Sequence, residues 1–328
     1  MAMSPRATPA VMIPHQPDSV DDALPYAELA VRHNARRLWT GQSLRLDPLQ
    51  LFAHLAGRGL RLPVGTGVSL IPLRTPYDAA AQARSLALIT GRTVVMGYGT
   101  ATPGFVASLH GAPYRSPRTA ATEFLTAARA LLDGDTADLT GEYQRLCASL
   151  TPTRPHPAVE IGAGVLRPAM ARSAAAVTDV AITWLTPASY VRDVLAPALL
   201  EGAGDRCPPR VATVVHLAVD RPGRDPARLA AAVVSAHLAA PHYLDMLRRA
   251  GVNVRAEDDS LLKAKQLVEA GVFVYGSPAH IARELARHRA AGIDEVILNV
   301  GGVHFTHGLQ EALTDLEDVF TAVKEHHG

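Results

Sequence analysis

The chain has 328 residues, about half of them apolar, and a formal net charge of +1. That length suits a single α/β barrel, and the near balance of charge argues against a dedicated nucleic-acid surface, which needs a basic excess on one face. Two cysteines, Cys147 and Cys207, make neither a disulfide framework nor a metal cluster, so no metal is expected. No apolar run reaches about 18 residues and the start lacks the plan of a signal peptide, so a cytoplasmic protein without a membrane segment is expected.

In chain order, residues 1–10 read as a disordered start and 11–328 as one domain. Ala10 to Ile13 reads as a short strand. Asp21 to Asn34 reads as a helix with acidic residues in its first turn, where the dipole favours them. Arg37 to Thr40 is a second strand, and Asp47 to Gly57 a helix with Pro48 in its first turn. The stretch Gly59 to Pro76 holds a third strand interrupted by Gly65 and Gly67. Glycine inside a strand marks a bulge or a close backbone approach. Tyr77 to Thr90 is a helix, Thr93 to Gly99 a fourth strand, and Thr119 to Leu132 a helix. Pro155 to Ile161 is a fifth strand, closed by a Gly162-Ala163-Gly164 turn and followed by a helix over Leu166 to Ala176. Val180 to Trp184 and Val211 to Val219 are strands six and seven, separated by a helix over Ser189 to Gly202. Pro226 to Glu269 is a helical insertion. Ser277-Pro278 opens a helix to Ala291, Glu295 to Val300 is the eighth strand, and a last helix runs from about Gly308 to His326.

Eight short apolar strands alternating with helices imply a parallel sheet with right-handed crossovers, and at this length a closed (β/α)8 TIM barrel. An open doubly wound sheet is the alternative, but no Gly-x-Gly-x-x-Gly follows the first strand. A barrel puts its site at the C-terminal strand ends: His15 and Gln16, Gln42 and Ser43, Gly67 to Leu70, Thr100 to Thr102, Gly162 to Gly164, Trp184, His216, and Asn299 to His304. These ends hold glycines, hydroxyls and amides and few carboxylates, which suits a cofactor that brings its own chemistry. Gly162-Ala163-Gly164 before a helix suits a phosphate. Trp39 and Trp184 read as core or pocket wall, and His304 and His307 as solvated loop residues.

The runs Leu38-Trp39-Thr40-Gly41-Gln42-Ser43, Leu62 to Pro76, Ala81 to Leu86, Val94 to Thr100 and Tyr275-Gly276-Ser277-Pro278-Ala279-His280-Ile281 together resemble the bacterial luciferase-like family. The resemblance implies a (β/α)8 barrel that binds FMN or the deazaflavin coenzyme F420, and a homodimer. It also implies a non-proline cis peptide in a third-strand bulge, which falls here at Gly67-Val68. It assigns cofactor contacts to Gln42, Ser43, Gly67, Val68, Thr100, Ala101, Thr102, Gly162, Ala163 and Gly164. Gln42-Ser43 stands where many members carry Asp-His. Thr102 replaces an acidic residue of sugar-phosphate-oxidising members, which argues against that reaction.

Ile13-Pro14-His15-Gln16-Pro17 and Trp39 to Leu44 further resemble the deazaflavin-dependent reductases of lanthipeptide biosynthesis. That implies hydride transfer to dehydroalanine or dehydrobutyrine in a ribosomal peptide, giving a D-amino acid, with His15, Gln42 and Ser43 as catalytic candidates. The alternatives are an FMN-dependent monooxygenase and a non-catalytic cofactor-binding protein. The partners expected are a small-molecule cofactor and a peptide or small-molecule substrate.

Overall fold

The computed structural model describes residues 8–327. The strands are β1 (Ala10–Met12), β2 (Leu38–Thr40), β3 (Val64–Leu70), β4 (Val94–Gly99), β5 (Ala137–Thr140), β6 (Arg145–Ala148), β7 (Val159–Gly164), β8 (Val180–Trp184), β9 (Arg210–Val219), β10 (Phe273–Gly276) and β11 (Glu295–Asn299). Eight of them close a parallel barrel in the order β1-β2-β3-β4-β7-β8-β9-β11, with β11 pairing back onto β1. The expected (β/α)8 barrel is therefore the fold observed. β9 is long enough to pair with β8 and β11 along its first half and with β10 along its second.

Several helices begin with a capping side chain followed by proline. Asp47, Thr75, Thr102, Ser116, Asp225 and Ser277 each accept a backbone N–H of the first turn, and each precedes a proline. The cap satisfies a donor that has no partner inside the helix, and proline lacks the N–H that would go unpaired there.

The structure corrects or refines four sequence readings. Residues 1–7 of the expected disordered start lie outside the described residues, and Ala10 begins β1, as the strand read over Ala10 to Ile13 has it. Gly162-Ala163-Gly164 is not a turn: it forms the end of β7, paired with Val180 to Ile182 of β8. The helical insertion comprises three helices, Pro226–Leu238, Pro241–Arg249 and Ser260–Glu269, and β10 follows it. The stretch after β4, expected as loop, contains a helix over Pro103–His110, and an antiparallel hairpin (β5 with β6) stands before β7.

The core has two layers. The larger packs helices on the outer barrel face. The inner fills the barrel with Ala10, Met12, Trp39, Val95, Val180, Ile182, Ala212, Val214 and Ile297. Glycines make room for the large inner side chains. A Cβ on Gly65 would lie 2.7 Å from the Trp39 ring, and one on Gly162 would lie 2.8 Å from Ile182 Cδ1. Interiors are packed too densely to absorb such overlaps without movement.

A charged network closes the N-terminal end of the barrel. Buried Glu295 accepts the Trp39 indole N–H at 2.7 Å, Arg37 Nε at 3.3 Å and Arg36 Nε at 3.0 Å. Arg37 also reaches Glu160 and the Val64 carbonyl. A buried carboxylate persists only when paired and hydrogen-bonded in this way.

Candidate active site

The bulge in β3 organises the opposite end. The Gly67-Val68 peptide is cis, at the bond the family resemblance implied. The β3–β4 register shifts between Thr66 and Ser69. The Thr66 hydroxyl bridges the gap: it donates to the Gly97 carbonyl and accepts the Gly97 N–H, both at 3.0 Å. Val68 turns toward the adjacent strand β4, where a Cβ on Gly99 would come 2.6 Å from its Cγ2. Behind the bulge, the Gln42 N–H donates to the Val68 carbonyl at 3.1 Å. The Gln42 side-chain oxygen accepts from the Leu70 N–H at 3.3 Å and from Arg74 Nη2 at 3.2 Å.

Around this mouth, buried polar atoms lack protein partners: Ser69 Oγ, His15 Nδ1, Trp184 Nε1, and both ring nitrogens of His216. His216 is 1 % exposed, and burial pushes its pKa down to about 3, with His237 adding to the effect. A neutral imidazole presents one donor and one acceptor, and leaving both unmet is costly. Trp184 meets His216 edge-on at 5.2 Å and stacks on His237 at 5.3 Å, and Tyr243 packs edge-on against His237. The insertion thus covers this flank.

On the other flank, His15 stacks on His304, with ring centroids 4.5 Å apart and planes 4° from parallel. The hydroxyl of fully buried Tyr26 is 2.8 Å from His304 Nδ1. Burial and then the neighbouring His15 lower the His304 pKa to about 4, and burial likewise lowers that of His15. His304 is therefore no solvated loop residue: it sits half-buried on the helix Gly301–His307. Two non-glycine residues with positive φ, Ala101 (62°) and Leu185 (53°), follow the ends of β4 and β8. Such backbone persists where surrounding structure imposes it, commonly at functional sites.

The sequence profile of the luciferase-like monooxygenase family matches residues 3–295. The chain belongs to that family. It is an oxidoreductase with the luciferase-like barrel. Its fold is similar to that of the coenzyme F420-dependent tetrahydromethanopterin reductase from Methanopyrus kandleri, with a TM-score of 0.74, 16 % identity, and coverage of 98 % of this chain and 100 % of that one. An F420-dependent secondary alcohol dehydrogenase in complex with an F420-acetone adduct superposes at 0.71, with 16 % identity, 96 % of this chain and 99 % of that one. A monooxygenase from Streptomyces bottropensis superposes at 0.71, with 18 % identity, 97 % and 99 %. No curated protein matches this chain.

In this luciferase-like barrel the residues named from sequence fall into two groups. On the mouth side, Gly67 and Val68 form the bulge within β3, Thr100 and Ala101 follow β4, Gly164 ends β7, and His15 lies just beyond β1. The second group has its polar atoms spent inside the protein. Gln42 Nε2 donates to the Ser43 carbonyl, the Ser43 hydroxyl accepts the Arg45 N–H, and the exposed Thr102 hydroxyl caps the helix Pro103–His110. Ala163 and Gly162 lie one and two residues below the strand end, and the following helix starts only at Pro168. His237, Tyr243 and Arg74 are not among the sequence candidates, and His304 is named there at a strand end but read as solvated. Their roles arise from contacts between distant elements. Among the described residues no three His, Cys, Asp or Glu side chains are grouped to hold a metal, and no helix is long and apolar enough to cross a membrane.

Proposed function

We propose that this luciferase-like protein is a reductase that uses coenzyme F420 to reduce an activated alkene, of the kind found in dehydroalanine or dehydrobutyrine within a ribosomal peptide. The observation that carries the reading is the set of unpartnered polar atoms at the barrel mouth: Ser69 Oγ, His15 Nδ1, Trp184 Nε1 and the His216 ring. This set offers hydroxyl, indole and imidazole groups and no carboxylate pair. It fits a planar heteroaromatic ring with carbonyl and N–H edges, and it does not fit glycoside hydrolysis, which needs paired acids. Reduced deazaflavin, when bound, supplies a hydride.

The chain's own residues hold, screen and protonate. The β3 bulge, with Gly67 and Val68, would form the wall behind the ring, and Thr100, Ala101 and Gly164 would border it. Ser69, Trp184 and His216 would meet its polar edge or that of the substrate. Gln42 fixes the bulged strand through two hydrogen bonds, to the Val68 carbonyl and from the Leu70 N–H, and Ser43 fixes the adjoining turn, so both act by positioning. His15, held by its stack on His304, is the group we assign to deliver a proton to the substrate α-carbon as hydride reaches the β-carbon.

The second reading, an FMN-dependent monooxygenase, draws on the similarity to the Streptomyces bottropensis monooxygenase. Titration decides between them. We expect saturable binding of F420, read by its absorbance and fluorescence, and oxidation of the reduced form on adding a dehydroalanine-containing peptide. Tight FMN binding with oxygen consumption, and none of F420, would overturn the first reading in favour of the second.

A further inference from the structure

A cavity of about 440 Å³ opens beside the bulge, lined by Ile71, Pro72, Arg74, His110, Tyr114 and Tyr143 among others. Its walls are the short 3-10 turn Ile71–Leu73 after β3, the end of the helix Pro103–His110, the loop beyond it, and the β5–β6 turn.

Most polar groups here are already engaged. His110 Nε2 is 3.0 Å from the Pro72 carbonyl oxygen, and the Tyr143 hydroxyl accepts the Ser116 N–H at 2.9 Å. Arg115 and Glu142 pair with each other at 2.7 Å. Tyr114 packs edge-on against Tyr143 at 5.2 Å. Arg74 is the exception. Its Nη2 donates to the neutral side-chain oxygen of Gln42 at 3.2 Å, while Nε and Nη1 are buried without partners. Among the described residues no carboxylate forms an ion pair with it.

A guanidinium cannot shed its proton in a protein, so the charge stays, partly desolvated and without a counter-ion, which is costly. Its planar fork of N–H donors matches a carboxylate. Ile71, Pro72 and the two tyrosines offer apolar and aromatic surface for the body that carries the acid. We propose that this cavity is a substrate subsite for a carboxylate on an apolar or aromatic body, with Arg74 as its anchor.

The subsite is wired to the barrel mouth. The Gln42 oxygen that accepts from Arg74 also accepts from the Leu70 N–H, and the Gln42 N–H donates to the Val68 carbonyl. An acid seated on Arg74 is thereby fixed relative to the β3 bulge. Its use in turnover rests on the redox reading above; its binding does not.

The test is calorimetric titration of the full chain with N-acetyl-phenylalanine and with the corresponding amide, which differ only in the charged group. The acid is expected to bind about tenfold or more tightly than the amide, and Arg74→Gln to abolish that preference with folding checked by thermal melting. Should Arg74→Gln not fold, Arg74→Lys, which keeps the charge and loses the fork, is expected to weaken the preference. Equal binding of acid and amide, no binding of the acid at millimolar concentration, or a preference intact in the variant overturns the proposal. Inorganic phosphate binding at the same site more tightly than the acid overturns the carboxylate assignment. Since no cofactor is present, acid binding that persists in a protein that neither binds F420 nor turns over leaves this subsite standing while the reductase reading fails.

Discussion

Trp39 stands inside the barrel with its indole N–H bonded to Glu295 at 2.7 Å and its ring face beneath Gly65 and Gly67. One side chain thus joins the charged network at the closed end to the bulge at the open end. Trp39→Phe keeps most of the packing and removes a donor from a buried carboxylate. We expect a loss of about 1–3 kcal/mol in urea unfolding. A change indistinguishable from zero would mean that Arg36 and Arg37 alone satisfy Glu295.

Gly99, at the end of the neighbouring strand β4, faces Val68, and a Cβ there would come 2.6 Å from Val68 Cγ2. Gly99→Ala is expected to destabilise by about 1–3 kcal/mol, as overpacking does. Val68→Ala in the same chain should recover part of that loss, giving a coupling of about 0.5–3 kcal/mol in a double-mutant cycle. Strict additivity of the two changes would show that they do not meet.

Stability should fall toward acid. His304 and His216 are held neutral by burial, with pKa values near 4 and 3 against 6.5 for an ordinary histidine. Below pH 6.5 the unfolded chain takes up protons that the folded chain refuses, so stability rises with pH in this window. The contribution is complete above about pH 6.5 and is lost as pH falls toward 4 for His304 and toward 3 for His216. Urea midpoints measured from pH 7 to pH 4 should decline, and His216→Leu, which removes one titrating group, should flatten the slope. An unchanged slope in that variant would contradict the burial of a neutral His216.

His15→Gln keeps a side chain of similar polarity and removes the imidazole. With His15 as the proton donor, kcat should drop about 10²–10⁴-fold while cofactor affinity changes little. Unchanged kcat would shift the proton to solvent or to another group at the mouth.

The barrel itself was readable from sequence because its signals are local. Apolar runs mark the strands, and Asp47-Pro48 and Ser277-Pro278 mark helix starts. The third-strand motif with the Gly-Ser-Pro turn pointed to the family. What escaped had a weak local pattern or a distant cause. Phe273–Gly276 is only four residues running into a Gly-Ser-Pro turn and has no strand in the sequence reading, yet it pairs with β9. Thr102-Pro103 carries the same cap-then-proline signature as the other helix starts, and the helix it opens was read as loop. Gly162 and Gly164 suggested a turn because glycine does so in isolation; here Ile182 fills the space that a Cβ on Gly162 would take, so the strand continues. His304 looked solvated because its partners, Tyr26 and His15, are far away in the chain.

The site was legible in the same uneven way. Strand ends located the mouth, and the bond at Gly67-Val68 was placed correctly. Hydrogen-bond bookkeeping was not visible: Gln42 and Ser43 look free in a sequence, and in the fold their polar atoms are committed to Ser43, Leu70, Arg74 and Arg45.

The slot that receives Val68 ties the evolution of several positions together. Its walls include Gly97, Gly99 and Gly164, each of whose β-carbons would fall within 3.6 Å of the valine side chain. A relative with a bulkier residue at position 68 must keep these glycines, and one that gains a side chain at position 99 must shrink position 68 to match. The bulge and the two strands beside it therefore drift only as a set, like a key and its lock.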